Sequence, residues 1–269
     1  MDDNQSKSVS KFPWKWILLG ILCAAVIIWL RLTPPGLLGK ADAIGYAVCH
    51  RIDSHSLHIG ERQMPLCVRC SGMYLGAMLG LIYQFVQGKK GAYPPLKTII
   101  IMAVLVLAFA IDGSNSYIHF FPGVNGLYEP QTWSRLVTGM GMGLAMAAAV
   151  VPAFHQTVWR SWKEVSGLTS WKQLGLLFVL AGLTILAALS ESAWLLYPLA
   201  LISSAGVPVL LTMIYSMVLV MIFKKENVYE RFDQMWMPLM GGALIALLQI
   251  GAFDLVRYLW TGTWAGFNL

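Results

Sequence analysis

The chain has 269 residues, of which 57% are hydrophobic and 12% are charged, about half the charged fraction of an ordinary soluble domain. A polypeptide of this composition has too little polar surface to stay dissolved, which excludes a soluble globular protein. The net charge of +6 does not indicate a nucleic-acid partner, because the basic residues lie in short caps between apolar blocks, where they contact lipid headgroups.

Seven apolar blocks follow one another along the chain. Blocks of this kind can cross a hydrocarbon core about 30 Å thick as helices. The sequence therefore predicts an all-α polytopic transmembrane bundle of about seven spans. The predicted spans are 14–32, 71–87, 96–111, 136–153, 174–189, 195–223 and 238–260.

The Lys and Arg residues predict the orientation of these spans. Twelve of the 19 lie in the N-terminal segment and alternate loops, and seven lie on the other side. Because Lys and Arg are enriched on the cytoplasmic side, a cytoplasmic N-terminal tail is expected over residues 1–13. A first membrane unit (14–153) then carries an external loop (33–70), and a second unit of three spans follows (154–269). The chain is thus expected in the cell membrane, with the lipid bilayer as its partner.

The first external loop concentrates the groups that bind soft metals. It holds three of the four cysteines and three of the five histidines. Zinc and similar divalent ions bind tetrahedral sets of thiolate and imidazole, and a Cys-x-x-Cys pair can place two sulfurs on one ion. The predicted zinc-like site has Cys49, Cys67 and Cys70 as ligands, with His50, or else His55 or His58, as the fourth.

The same residues permit other functions, and whether the protein is an enzyme stays open. A Cys-x-x-Cys pair at the start of a transmembrane helix is also typical of thiol-disulfide oxidoreductases that pass electrons to a quinone, with Arg69 or His50 stabilising the thiolate. Alternatively, the cysteines have only a structural role and fix the loop through a disulfide or a zinc ion. A non-catalytic subunit of a membrane complex or a small-molecule transporter is a further alternative.

Two charged residues in the third connection are candidates for a catalytic role. Asp112 follows an apolar run, and Arg135 precedes the fourth span. A charge at a helix end in a membrane needs a partner or water, so each is a functional candidate, with a mutual ion pair as the structural alternative. If the spans alternate, Asp112, His119 and Arg135 share a face with the cysteine loop and could cover its site.

These motifs resemble those of a bacterial family of polytopic membrane proteins of unknown function. The resemblance spans about residues 45–150 and implies that this region forms one unit, but it brings no established activity. It rests on Cys49-His50, on Pro65-Leu66-Cys67-x-Arg69-Cys70-x-Gly72-x-Tyr74-x-Gly76, and on Asp112-Gly113 followed by Arg135-x-x-x-Gly139.

Overall fold

The computed structural model describes residues 14–119, 121 and 126–266. The predicted tail 1–13 lies outside these residues. Within them the chain forms eight α-helices and one short antiparallel hairpin of β1 (His58–Ile59) and β2 (Arg62–Gln63). The helices are α1 (Trp14–Leu32), α2 (Leu37–Val48), α3 (Val68–Val86), α4 (Leu96–Ile118), α5 (Thr132–Val158), α6 (Trp171–Leu189), α7 (Ala193–Ile222) and α8 (Trp236–Thr261).

The predicted class, a helical membrane bundle, is confirmed. Six helical segments of the described chain are long and apolar enough to cross a membrane, and they correspond to α1 and α4 to α8. The remaining predicted span, 71–87, corresponds to α3, which has 19 residues but falls outside the six. This helix carries Arg69 and Gln84 and packs against α5, α7 and α6, so protein covers much of the surface that lipid covers elsewhere.

Close contact between α3 and α5 forms the centre of the bundle. A Cβ on Gly72 or Gly76 would collide with the backbone of Leu136 or Met140, and one on Gly143 would collide with the carbonyl of Met73. Gly72 meets Leu136 and Gly76, one turn later, meets Met140, so the two helices run parallel. Small residues let two helix backbones approach this closely in lipid.

The remaining helices alternate in direction around this pair. Helix α4 returns antiparallel to α5, with Leu105 beside Gly141, and its Asp112 end reaches the start of α3. Leu196 of α7 and Ala188 of α6 pack with Leu57 of the first loop. Connections one, three and five therefore lie at one end of the bundle, called the cysteine end below.

The structure refines several predicted boundaries. The first loop is not open chain, since it contains α2, the hairpin and the start of α3 at Val68. Helix α4 continues to Ile118, which places Asp112 inside the helix rather than after it. The boundary predicted at residue 153 falls within α5, and α1 packs on α8. The division into two membrane units stays a prediction.

Candidate metal centre

Three cysteines meet at the cysteine end. Cys49 directly follows α2, Cys67 is the N-cap of α3, and Cys70 lies in the first turn of that helix. Their sulfur atoms all lie within 4.8 Å of one another. Cys49 and Cys67 are buried and Cys70 is half-buried, and no disulfide is present in the part of the chain that the structure describes.

Backbone contacts position the two segments that carry these sulfurs. The Cys67 N–H donates to the Cys49 sulfur at 3.3 Å. Gly45 of α2 lies directly against the carbonyl of Pro65, where a Cβ would not fit. From α8, the Arg257 guanidinium donates to the Tyr46 and Cys49 carbonyls, each at 2.6 Å, and so satisfies the C-terminus of α2.

The three thiols differ in how easily they lose a proton. Hydrogen bonds from Cys67 and then Cys70 hold the pKa of Cys49 well below its ordinary value, against the opposing effect of burial, and His50 adds to the lowering. The pKa of Cys67 rises to about 12, chiefly because of its hydrogen bond with Cys49. Of Cys49 and Cys67, Cys49 is therefore the first to lose its proton and become a thiolate.

The three loop histidines have different neighbours. His50 adjoins Cys49, and its Nε2 is buried with no hydrogen-bond partner among the residues described. The centre of the His50 ring lies 5.8 Å from the centre of the His55 ring. No nitrogen of either ring belongs to the group of atoms within 4.8 Å of one another that the three sulfurs form. His58 instead lies 2.9 Å from Asp53 on the surface. Of the three predicted alternatives, His50 and His55 are thus the ones near the sulfurs.

The predicted catalytic candidate Asp112 pairs with Arg69. The Arg69 Nε donates to the carboxylate at 3.1 Å, and a second guanidinium nitrogen reaches both that carboxylate and the Asp112 carbonyl, the latter at 3.0 Å. The same nitrogen donates to Ser116 at 2.7 Å. Only 1% of Asp112 is exposed, so this ion pair joins α3 to α4 in a largely buried setting.

Three hydroxyl groups complete the surroundings of Asp112. Tyr128 donates to the carboxylate at 2.7 Å, Ser134 at 3.1 Å and Thr138 at 3.3 Å. These three donors were not among the site residues predicted from the sequence, and Arg69 was predicted only to stabilise a thiolate. A signal was present, because Ser134 and Thr138 are four apart and share one face of α5. With its acceptors occupied, Asp112 is placed to fix the helices around the site.

Arg135, the other candidate, keeps its charge near the cysteines. It lies in the first turns of α5, which pack against α3, and is 8% exposed. Its Nε has no hydrogen-bond partner in the described segments. Burial, followed by the positive charge of Arg135, lowers the pKa of His55 to about 4. His119 lies farther along, where it contacts the Asn115 carbonyl at 2.8 Å and approaches Glu129.

Comparison with known proteins gives a family and two relatives. A family model described as "Predicted membrane protein (DUF2085)" matches residues 49–149, the region that holds the three clustered cysteines, Asp112 and Arg135. An uncharacterized protein of Methanothermobacter thermautotrophicus is 30% identical over 106 residues, which cover 39% of this chain and 86% of the relative.

A second uncharacterized protein, from Methanocaldococcus jannaschii, is 28% identical over 122 residues, which cover 45% of this chain and 72% of the relative. Both relatives are archaeal, so they do not support the bacterial origin that the resemblance implied. No solved structure matches the chain at a significant level.

Proposed function

The chain belongs to this family of predicted membrane proteins (DUF2085), and we propose that it binds one soft divalent metal ion, zinc above all, through Cys49, Cys67 and Cys70. The observation that carries this proposal is the convergence of three unoxidised sulfurs within 4.8 Å. Around tetrahedral zinc, with metal–sulfur distances of about 2.3 Å, sulfurs lie about 3.8 Å apart. Small shifts of the side chains would therefore bring all three onto one ion.

The fourth ligand would come from a neighbouring histidine or from water. His50 adjoins Cys49, and the lowered pKa of His55 favours its neutral form, which is the form that binds metals. If a histidine is the fourth ligand, the protein supplies all four ligands and the ion has a structural role. With water in the fourth position, the ion could act as a Lewis acid.

Arg135 and Asp112 have complementary roles in this proposal. Three thiolates around a divalent cation leave one net negative charge, and a buried charge needs compensation. Arg135 supplies a positive charge from α5, as its effect on His55 indicates. Asp112 holds Arg69, the residue before Cys70, and thereby positions the first turn of α3.

The site is proposed to face the outside of the cell membrane. This orientation follows from the excess of Lys and Arg at the opposite end of the bundle. Metal ions and small polar ligands would then reach the cysteine end from the external solution.

Elemental analysis of purified protein tests the metal proposal. The wild type should hold one zinc ion per chain, and Cys67→Ser should lose it because two thiolates bind the ion too weakly. Cys23→Ser is the matched control, since Cys23 is exposed in α1 and lies outside the sulfur group. Metal-free wild type, or equal zinc in Cys67→Ser, would contradict the proposal.

A second candidate function is thiol-disulfide exchange, possible because the lowered pKa of Cys49 produces a thiolate beside two other thiols. The N-terminus of α3 lies beside this thiolate, since the Cys67 N–H donates to the Cys49 sulfur, and a helix N-terminus favours negative charge. Mass spectrometry separates the two functions. A metal-free protein in which reductant opens a Cys67–Cys70 disulfide supports redox chemistry, whereas three titratable thiols appearing only after metal removal support coordination.

A further inference from the structure

A cavity of about 720 Å³ lies at the end of the bundle opposite the cysteines, beside the connection from α7 to α8. Its volume is within the range for small-molecule sites, about 300–1,000 Å³. Helix α1 contributes Leu18, and the exposed Lys15 lies one turn earlier on the same face of that helix. The lining residues are Leu18, Leu219, Val220, Phe223, Lys225, Val228, Tyr229, Gln234, Trp236, Met237, Pro238, Gly241, Leu244 and Ile245.

The cavity runs from the membrane interface into the apolar region. It begins at Lys225 and Trp236, where α7 has ended and α8 starts, and it continues to Leu244 and Ile245. The eight residues from Trp236 to Leu244 span about 12 Å of helix, and half of a hydrocarbon core is about 15 Å thick. The apolar part of the cavity therefore has the depth of one leaflet, which suits an acyl chain.

The end of α7 fixes a lysine at the mouth of this cavity. The Lys225 N–H donates to the Val220 carbonyl at 2.9 Å, and the Lys224 N–H donates to the Met221 carbonyl at 3.0 Å. Lys224 has a φ of 52° less one degree, at 51°, so this is a Schellman motif, in which a left-handed residue ends the helix. The motif places Lys225, rather than Lys224, in the cavity lining.

The polar groups at the mouth suit an anionic group. Lys225 and Gln234 are both exposed there, and the Gln234 oxygen already accepts from the Glu230 N–H at 2.8 Å, which leaves the amide NH₂ group to donate to a ligand. No acidic residue of the described chain lines the cavity. The Glu230 carboxylate pairs with Arg160 at 3.1 Å, outside the lining.

We propose that this cavity binds an anionic phospholipid from the leaflet at this end of the bundle. Its phosphate accepts hydrogen bonds from Lys225 and Gln234, and one acyl chain packs along Leu244 and Ile245. Phosphatidylcholine fits less well, because its choline cation would lie beside the Lys225 ammonium group. The argument rests on the cavity and its lysine, and it holds whether or not the sulfurs bind metal.

Native mass spectrometry of the full chain in a neutral detergent tests this inference by titration with dioleoyl phosphatidylglycerol or dioleoyl phosphatidylcholine. The wild type should bind one phosphatidylglycerol more tightly than phosphatidylcholine. Lys225→Gln should weaken phosphatidylglycerol binding about fivefold, the equivalent of about 1 kcal/mol for one lysine at an anionic headgroup. Lys224→Gln is the matched control, because it makes the same change of charge at an exposed residue that does not line the cavity. Its affinity should equal that of the wild type.

Two tryptophan variants test the position of the acyl chain. Ile245→Trp should fill the apolar part of the cavity and weaken phosphatidylglycerol binding about tenfold. Leu255→Trp should leave binding unchanged, because Leu255 is 59% exposed on α8 and does not line the cavity. Zinc content should be the same in all four variants and in the wild type, which separates this site from the metal centre. Equal affinity of the wild type for the two lipids, equal affinity in the two lysine variants, or equal affinity in the two tryptophan variants would overturn the proposal.

Discussion

Asp112 shows how one residue can determine the arrangement of three helices. Its carboxylate accepts from Arg69 of α3 and from Ser134 and Thr138 of α5 while its own backbone belongs to α4. Removing one member of a buried ion pair costs about 3–5 kcal/mol, because the other charge is left without compensation. The geometry of the proposed metal centre would therefore depend on a residue that does not itself bind the ion.

Asp112→Asn should destabilise the protein by an amount in this range, with a lower unfolding temperature in detergent. Asp53→Asn is the control, since the Asp53 side chain is 78% exposed and only meets His58 on the surface. Replacing Asp112 and Arg69 together by Leu should recover part of the loss, because no unpaired charge then remains. A single Asp112→Asn variant as stable as Asp53→Asn would show that the pair does not hold the helices.

His55 gives the cysteine end a dependence on pH. Its pKa is about 4 in the folded chain and about 6.5 in an unfolded one, so the unfolded chain binds more protons between these values. This contribution to stability is complete above about pH 6.5 and is lost as the pH falls towards 4. In metal-free protein the unfolding temperature should therefore fall over this window. His55→Gln should reduce the fall, and an equally steep profile in that variant would refute the assignment.

At the scale of elements, the parallel contact of α3 with α5 places Cys67 and Cys70 beside Arg135. The contact depends on glycines at both surfaces, among them Gly76 and Gly143. A side chain at either position must push the two backbones apart, and overpacking of this kind costs about 1–3 kcal/mol. The spacing of the helices and the position of the sulfurs are thus coupled.

Gly143→Ala should lower the unfolding temperature and reduce the zinc content, because α5 would move away from α3. Gly182→Ala in α6 is the matched control, since a Cβ there meets nothing within 4 Å. It should leave both quantities unchanged or raise stability slightly through helix propensity. Equal effects of the two substitutions would mean that close approach of α3 and α5 is not required.

The sequence predicted the helices better than their partners. Long apolar blocks are read from local composition, which is why α1 and α4 to α8 lie close to their predicted positions. The clustering of Cys49, Cys67 and Cys70 was also readable, because all three lie in one connection. The pairing of Arg69 with Asp112 was not, since it depends on α4 returning antiparallel to the start of α3. Local periodicity carries no information about such long-range contacts.

For the whole molecule, alternation of the spans decides whether the proposed site exists. The structure puts connections one, three and five at the cysteine end, which requires α3 to cross the membrane despite its polar residues. Single cysteines introduced at the exposed positions Glu61 and Glu191 should react with a membrane-impermeant maleimide from the outside of intact cells. A cysteine at Glu226 should react only after permeabilisation. Labelling of Glu61 and Glu191 from opposite sides would contradict this topology.

The measurement that tests the metal centre most directly is X-ray absorption at the zinc edge of the purified, zinc-loaded protein. The proposed set predicts three sulfur neighbours at about 2.3 Å and one nitrogen or oxygen neighbour at about 2.0–2.1 Å. Cys67→Ser should lose the ion and with it the absorption edge of zinc. A first shell made only of nitrogen and oxygen would show that Cys49, Cys67 and Cys70 do not hold the ion.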